Sequence, residues 1–150
     1  MNITQKLLKI GLASDHAGYE LKEFIRKLLD KENIPYIDYG THSAESTNYA
    51  TYGHCLAKAI EQNEVQKGIA VCGSGNGINM TLNKHKDIRA ALCWNEEIAQ
   101  LARAHNDANV LALPGRFLSF DLAEKIIISF LNTSFEGGRH QSRVDAIHTL

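Results

Sequence analysis

The chain has 150 residues, 44% hydrophobic and 22% charged, so one domain over residues 1–150 can bury a core without a disulfide or metal staple. Sixteen Lys and Arg stand against seventeen Asp and Glu, a formal net charge of −1. That balance argues against nucleic-acid or anionic-membrane partners, which need a basic excess gathered on one face. The N-terminal stretch has no apolar run that fits a signal peptide, and no run of about 18 apolar residues occurs. The expectation is a cytoplasmic protein with no membrane partner. Cys55, Cys72 and Cys93 form an odd set without CxxC spacing, which speaks against a disulfide scaffold or a zinc ribbon.

In chain order, Ile10-Gly11-Leu12-Ala13 is a short apolar run ending at Ser14-Asp15-His16. Leu21, Phe24, Ile25, Leu28 and Leu29 then recur at i, i+3, i+4, i+7 and i+8, one apolar stripe of a helix. Pro35 stops that helix, and residues 36–40 read as a second strand with a turn. Tyr52, Cys55, Leu56, Ala59 and Ile60 mark a second helix. A third strand at Ile69-Ala70-Val71-Cys72 runs into Gly73-Ser74-Gly75-Asn76-Gly77, and a short helix follows to Asn83. Ala90-Ala91-Leu92-Cys93 is a fourth strand; Ile98, Leu101 and Ala102 place a fourth helix. Val110-Leu111-Ala112-Leu113 is the fifth strand, Leu122, Ile126, Phe130 and Leu131 the fifth helix, and Val144 and Ile147 lie on a last one.

Short apolar strands alternating with helices specify βαβ units. The predicted fold is α/β: a three-layer, Rossmann-like α/β/α domain with a five-stranded, mostly parallel sheet. Ligands bind such sheets beyond the carboxyl ends of the strands. Asp15, His16, Tyr49, Cys72 to Gly77, Trp94-Asn95 and Gly115-Arg116 are therefore the residues to interrogate.

Glycines 73, 75 and 77 let the backbone approach a ligand and aim N–H groups at an anion. The spacing is GxGxG and not the dinucleotide GxGxxG, and no GK[ST] ending follows. A plain tight turn explains the glycines equally well. Cys72 ends the strand just before that turn. A helix N-terminus or a nearby cation favours thiolate, which would suit a nucleophile or a general base. The commoner fate of a free cysteine is a small buried hydrophobe, the reading taken for Cys55 and Cys93. Asp15-His16 could hold a sugar hydroxyl or a phosphate, or Asp15 could simply cap a helix. His105-Asn106-Asp107 closes the fourth helix, where the dipole favours a protonated imidazole and so a proton donor; C-capping is the plain alternative. Arg139 and Arg143 share a helix face, and with Arg116 they would make a phosphate clamp. A solvated basic face is the alternative, against which Gly137-Gly138 just upstream weighs. Lys84-His85-Lys86 reads as a charged loop. His42, His54 and His148 lack partners at ligand spacing, so no metal is expected.

Together these residues resemble the ribose-5-phosphate isomerase B family, within the group that includes the galactose-6-phosphate isomerase subunits. The blocks that carry the resemblance are Ser14-Asp15-His16-Ala17-Gly18, Cys72 to Gly77, Asn83-Lys84 with Ile88-Arg89-Ala90, His105 to Val110, and Glu136 to Gln141 with Arg143. It implies reversible aldose–ketose isomerisation of ribose 5-phosphate and ribulose 5-phosphate, without a cofactor. Cys72 would be the base moving a proton between C1 and C2. The N–H groups of Gly73, Gly75, Asn76 and Gly77 would stabilise the enediolate oxygen. His105 would assist ring opening, with Asp15 and Ser74 near the sugar. Arg116, Arg139 and Arg143 would hold the phosphate, while Asn106, His16 and Tyr49 line the site. Three positions depart from the family pattern: Ser74 where Thr is common, Asn48-Tyr49-Ala50 where Asp-Tyr-Pro is, and Asn76 where a small or apolar residue is usual.

One expectation comes from topology. His105-Asn106 ends a helix just before a strand, so it belongs at the sheet edge opposite Cys72. If both serve one site, a second chain supplies one of them, which implies a homodimer with shared sites. The rival readings are an isomerase of a hexose 6-phosphate such as allose or galactose, a non-catalytic sugar-phosphate or nucleotide-binding module, and a cysteine hydrolase.

Overall fold

The computed structural model describes residues 8–149. Strands and helices alternate as β1 (Ile10–Ser14), α1 (Tyr19–Lys31), β2 (Tyr36–Asp38), α2 (Tyr49–Glu61), β3 (Lys67–Cys72), α3 (Asn76–Leu82), β4 (Ala90–Leu92), α4 (Glu96–Asn106), β5 (Val110–Pro114), α5 (Phe120–Asn132) and α6 (Arg139–Thr149). The five strands form one sheet in the order β2-β1-β3-β5-β4, and every neighbouring pair is parallel. None of these helices is long and apolar enough to cross a membrane.

Side chains alternate across a strand with period two, and β3 shows what that does to the layers. Ile69 and Val71 join one core with Leu21 and Ile25 of α1 and Ile126 and Phe130 of α5. Ala70 and Cys72 join the other, with Leu56 and Ile60 of α2 and Ile78 and Leu82 of α3. Cys72 thus faces the α2–α3 layer. Helices α2, α4 and α5 start where side chains satisfy their free N–H groups: Asn48 accepts from Ala50 N at 2.8 Å, Asn95 from Ile98 N at 2.9 Å, and Ser119 from Leu122 N at 3.1 Å.

A buried ion pair joins α1 to β2. Lys22 is fully buried, and its Nζ lies 2.6 Å from Asp38 Oδ2 and 3.3 Å from Glu23 Oε1. Removing Asp38 leaves the buried Lys22 charge with only the more distant, partly exposed Glu23 carboxylate. Asp38→Ala is therefore expected to lower stability by about 3 kcal/mol in urea unfolding, and Lys22→Met in that background to recover most of the loss. No recovery would show that the loss has another cause.

Candidate active site

The chain winds from β1 out to β2, then crosses back to add β3 on the other side of β1. That reversal opens a crevice at the carboxyl ends of β1 and β3, where doubly wound sheets bind ligands. Asp15 and His16 leave β1 there, and Cys72 to Gly77 leave β3. Cys72 pairs in register with Pro114, so Gly115 and Arg116 leave β5 beside them.

Asp15 is buried at 6% exposure, and its Oδ1 accepts from Gly18 N at 3.0 Å. This bond closes the turn before α1, whose N-cap is Gly18 without a side-chain cap, so Asp15 is not the helix cap itself. His16 Nδ1 lies 3.2 Å from Thr47 N and 3.3 Å from Thr47 O, which ties the ring to the segment before α2. Cys72 is 4% exposed, and its carbonyl accepts from Gly115 N at 2.9 Å. Arg116 N donates to Gly73 O at 3.0 Å, and Arg116 Nη1 lies 3.3 Å from where a side chain on residue 73 would begin. The guanidinium therefore lies over the glycine turn.

Within the turn, Ser74 Oγ accepts from Asn76 N at 3.3 Å and from Asn76 Nδ2 at 3.2 Å. Gly75 has φ +78°, a left-handed conformation that side chains disfavour. Gly77 serves by its missing side chain, since a Cβ there would come within 2.4 Å of the Tyr49 ring. Tyr49, the first residue of α2 and 41% exposed, is thereby seated against the turn.

The remaining predicted residues lie at the opposite edge. α4 ends at Asn106, and Asp107 follows with φ +48° before β5 begins at Val110. Gly68 pairs with Val110 and Cys72 with Pro114, so four residue steps along the strands separate the edges. At ~3.3 Å per residue that is about 13 Å. The His105 ring stacks on that of His140, with centroids 4.1 Å apart and planes 13° from parallel. Glu136 Oε2 lies 3.8 Å from His105 Nε2 and 3.4 Å from His140 Nε2. Gly137 and Gly138 have φ +66° and +53° and turn the chain into α6, whose Arg139 and Arg143 are exposed.

One chain therefore does not assemble the predicted set. Asp15, His16, Tyr49, Cys72 to Gly77 and Arg116 gather at the carboxyl edge; His105, Asn106, Arg139 and Arg143 gather at the amino edge. The three-arginine clamp divides in the same way, with Arg116 apart from the other two.

Other expectations change. Cys55 is exposed, not buried. Burial pushes the Cys93 thiol up to about 12, consistent with an inert core thiol. His54 does have a partner: its Nδ1 is 2.7 Å from His85 Nε2, and His85 Nδ1 is 2.6 Å from Glu61 Oε1. Residues 84–86 are thus more than a charged loop, and a 31-residue separation left no spacing signal for it. Spacing also overlooked Glu136 and His140, which with His105 place donor atoms within 4.8 Å of one another. The two rings lie parallel, so their in-plane lone pairs run side by side and do not converge as metal ligation needs.

Comparison with known proteins agrees with this architecture. The chain is 44% identical over 142 residues to ribose-5-phosphate isomerase B of Escherichia coli, covering 95% of each chain. A ribose 5-phosphate isomerase from Thermotoga maritima superposes with a TM-score of 0.94 at 44% identity, over 95% of this chain and 99% of that one. Ribose-5-phosphate isomerase B from Mycoplasma genitalium, solved with bound ribulose-5-phosphate, superposes with a TM-score of 0.92 at 37% identity and 97% coverage of both chains. Residues 10–147 match the family model described as Ribose/Galactose Isomerase. With its five-stranded parallel sheet, its glycine turn at the switch point and near full-length relatives, this chain belongs to the ribose/galactose isomerase family.

Proposed function

We propose that this chain interconverts ribose 5-phosphate and ribulose 5-phosphate through an enediolate, in sites shared between two copies. The observation that carries the reading is Cys72 and its glycine turn at the β1/β3 crevice, in a chain whose relatives bear that activity in their names. Cys72 acts as the base: as thiolate it takes the proton from C2 of the opened aldose and returns it to C1, while a proton passes from O2 to O1. Backbone N–H groups of the turn from Gly73 to Gly77, apart from the Asn76 N–H that Ser74 Oγ accepts, would meet the charge that develops on the enediolate oxygen, commonly among the largest catalytic terms. Asp15 and Ser74 lie beside the sugar, and His16, Tyr49 and Asn76 border it.

The second copy resolves the division of the site. Ring opening needs a proton donor, and the phosphate needs cations in bidentate reach. Both lie on the amino edge as His105, Asn106, Arg139 and Arg143. A two-fold pairing that sets the Cys72 edge of one copy against the partner's His105 completes each site and joins Arg116 to the other two arginines. Proton transfer through an enediolate consumes no redox equivalent, so no redox cofactor is required.

The test is ribulose 5-phosphate formation from ribose 5-phosphate in buffer containing EDTA, beside allose 6-phosphate and galactose 6-phosphate. Turnover is expected to survive the chelator, with kcat/KM for the pentose at least about tenfold above either hexose, the scale on which one extra carbon is discriminated. A reversed order would reassign the substrate to a hexose 6-phosphate. Binding of ribose 5-phosphate without turnover would leave a binding module.

A further inference from the structure

Arg89 stands just before β4, and its side chain is 19% exposed. Its Nε donates to Asn106 O at 3.2 Å and Asp107 O at 3.1 Å, and its Nη2 donates to Asp107 O at 2.8 Å. Those carbonyls end α4, where helix geometry leaves acceptors without intrahelical donors. On its other side, Arg89 Nη1 lies 2.8 Å from His148 Nε2 near the end of α6. One guanidinium thus bridges the end of the helix that carries His105 and Asn106 to the helix that carries Arg139 and Arg143.

The start of α6 is tied to α4 independently. Glu136 N donates to Ala104 O at 3.0 Å, and His140 stacks on His105. Arg139 and Arg143 lie between these two ties. We infer that Arg89 is a positioning residue for the isomerisation, holding the Arg139–Arg143 pair at a set distance from His105. The inference rests on the function proposed above, which places those residues in the site. Its physical basis is the substrate: the ring oxygen and the phosphate are tethered through the short C4–C5–O5 link, so donor and clamp must keep a separation within its reach. Misplacement by about 1 Å can cost about 10²-fold in rate. Lysine cannot substitute, because a point-charge ammonium lacks the planar fork that serves both helices at once.

The experiment compares full-length wild type, Arg89→Lys and His148→Ala by kcat, KM, melting temperature and the ring NMR resonances of His105 and His140. Arg89→Lys loosens both helices and is expected to lower kcat and raise KM by about tenfold each. His148→Ala releases only α6, so KM should rise by about tenfold with kcat within about twofold. A residue that merely stabilises the fold would lower the melting temperature and leave kcat and KM of the folded fraction unchanged, and that result overturns the inference. If Arg89→Lys does not fold, the KM of His148→Ala decides. If wild type turns over no ribose 5-phosphate, the functional reading fails and the resonances decide: His105 and His140 signals displaced in Arg89→Lys support positioning, and signals that coincide with wild type overturn it.

Discussion

Cys72→Ala is expected to lower kcat for ribose 5-phosphate by about 10²–10⁴-fold, the usual contribution of a positioned general base. KM should stay within about threefold, because the groups proposed to grip the phosphate and sugar are untouched and a base acts only in the transition state. The fold should survive. Cys72 is 4% exposed at the end of β3, and exchanging its thiol for a hydrogen removes one heavy atom, a core deletion worth about 1 kcal/mol. Steady-state kinetics with a thermal melt separates the two effects. Exchange of the C2 proton with solvent deuterium should fall in parallel with kcat. An alanine variant within tenfold of wild-type kcat would remove the thiol from the role of base, whereas full binding without turnover is the proposed outcome.

Mixing Cys72→Ala chains with His105→Ala chains tests the shared site directly. Each variant alone is expected to be nearly inactive. Random pairing makes half of the dimers mixed, and each mixed dimer holds one site with both native residues, so about a quarter of wild-type activity should return. Subunit exchange must be allowed, by refolding the chains together or producing them in one cell. The arithmetic discriminates sharply: if Cys72 and His105 of one chain served the same site, no mixed dimer would contain an intact site and nothing would be recovered. The distance argues for sharing. About 13 Å of strand separates the two edges, beyond the reach of a cysteine and a histidine acting on adjacent atoms of a five-carbon sugar.

The order of strands and helices was legible because each element has its own local signal. Leu21, Ile25, Leu28 and Leu29 repeat at helical spacing, and all strands but β4 are short apolar runs ended by Gly, Pro or Asp. Parallel pairing follows from the alternation, because a βαβ unit brings the chain back in the same direction. The opposed edges of Cys72 and His105 were legible for the same reason: a strand's end and the start of the next lie at opposite edges of a parallel sheet.

What only the tertiary structure decided depends on residues far apart in the chain. The order β2-β1-β3-β5-β4 places the crevice between β1 and β3, and periodicity carries no information about which strands become neighbours. Lys22 appears in the sequence as one more charged helical residue, yet it is buried against Asp38 because α1 packs on β1 and β3, and β2 pairs beside β1. His85 meets His54 and Glu61, and Arg89 meets His148, across separations of 24 to 59 residues. Local pattern reports which face of a helix or strand is apolar. Which polar groups meet is settled by packing, because a buried donor or acceptor must find its partner wherever the fold brings one.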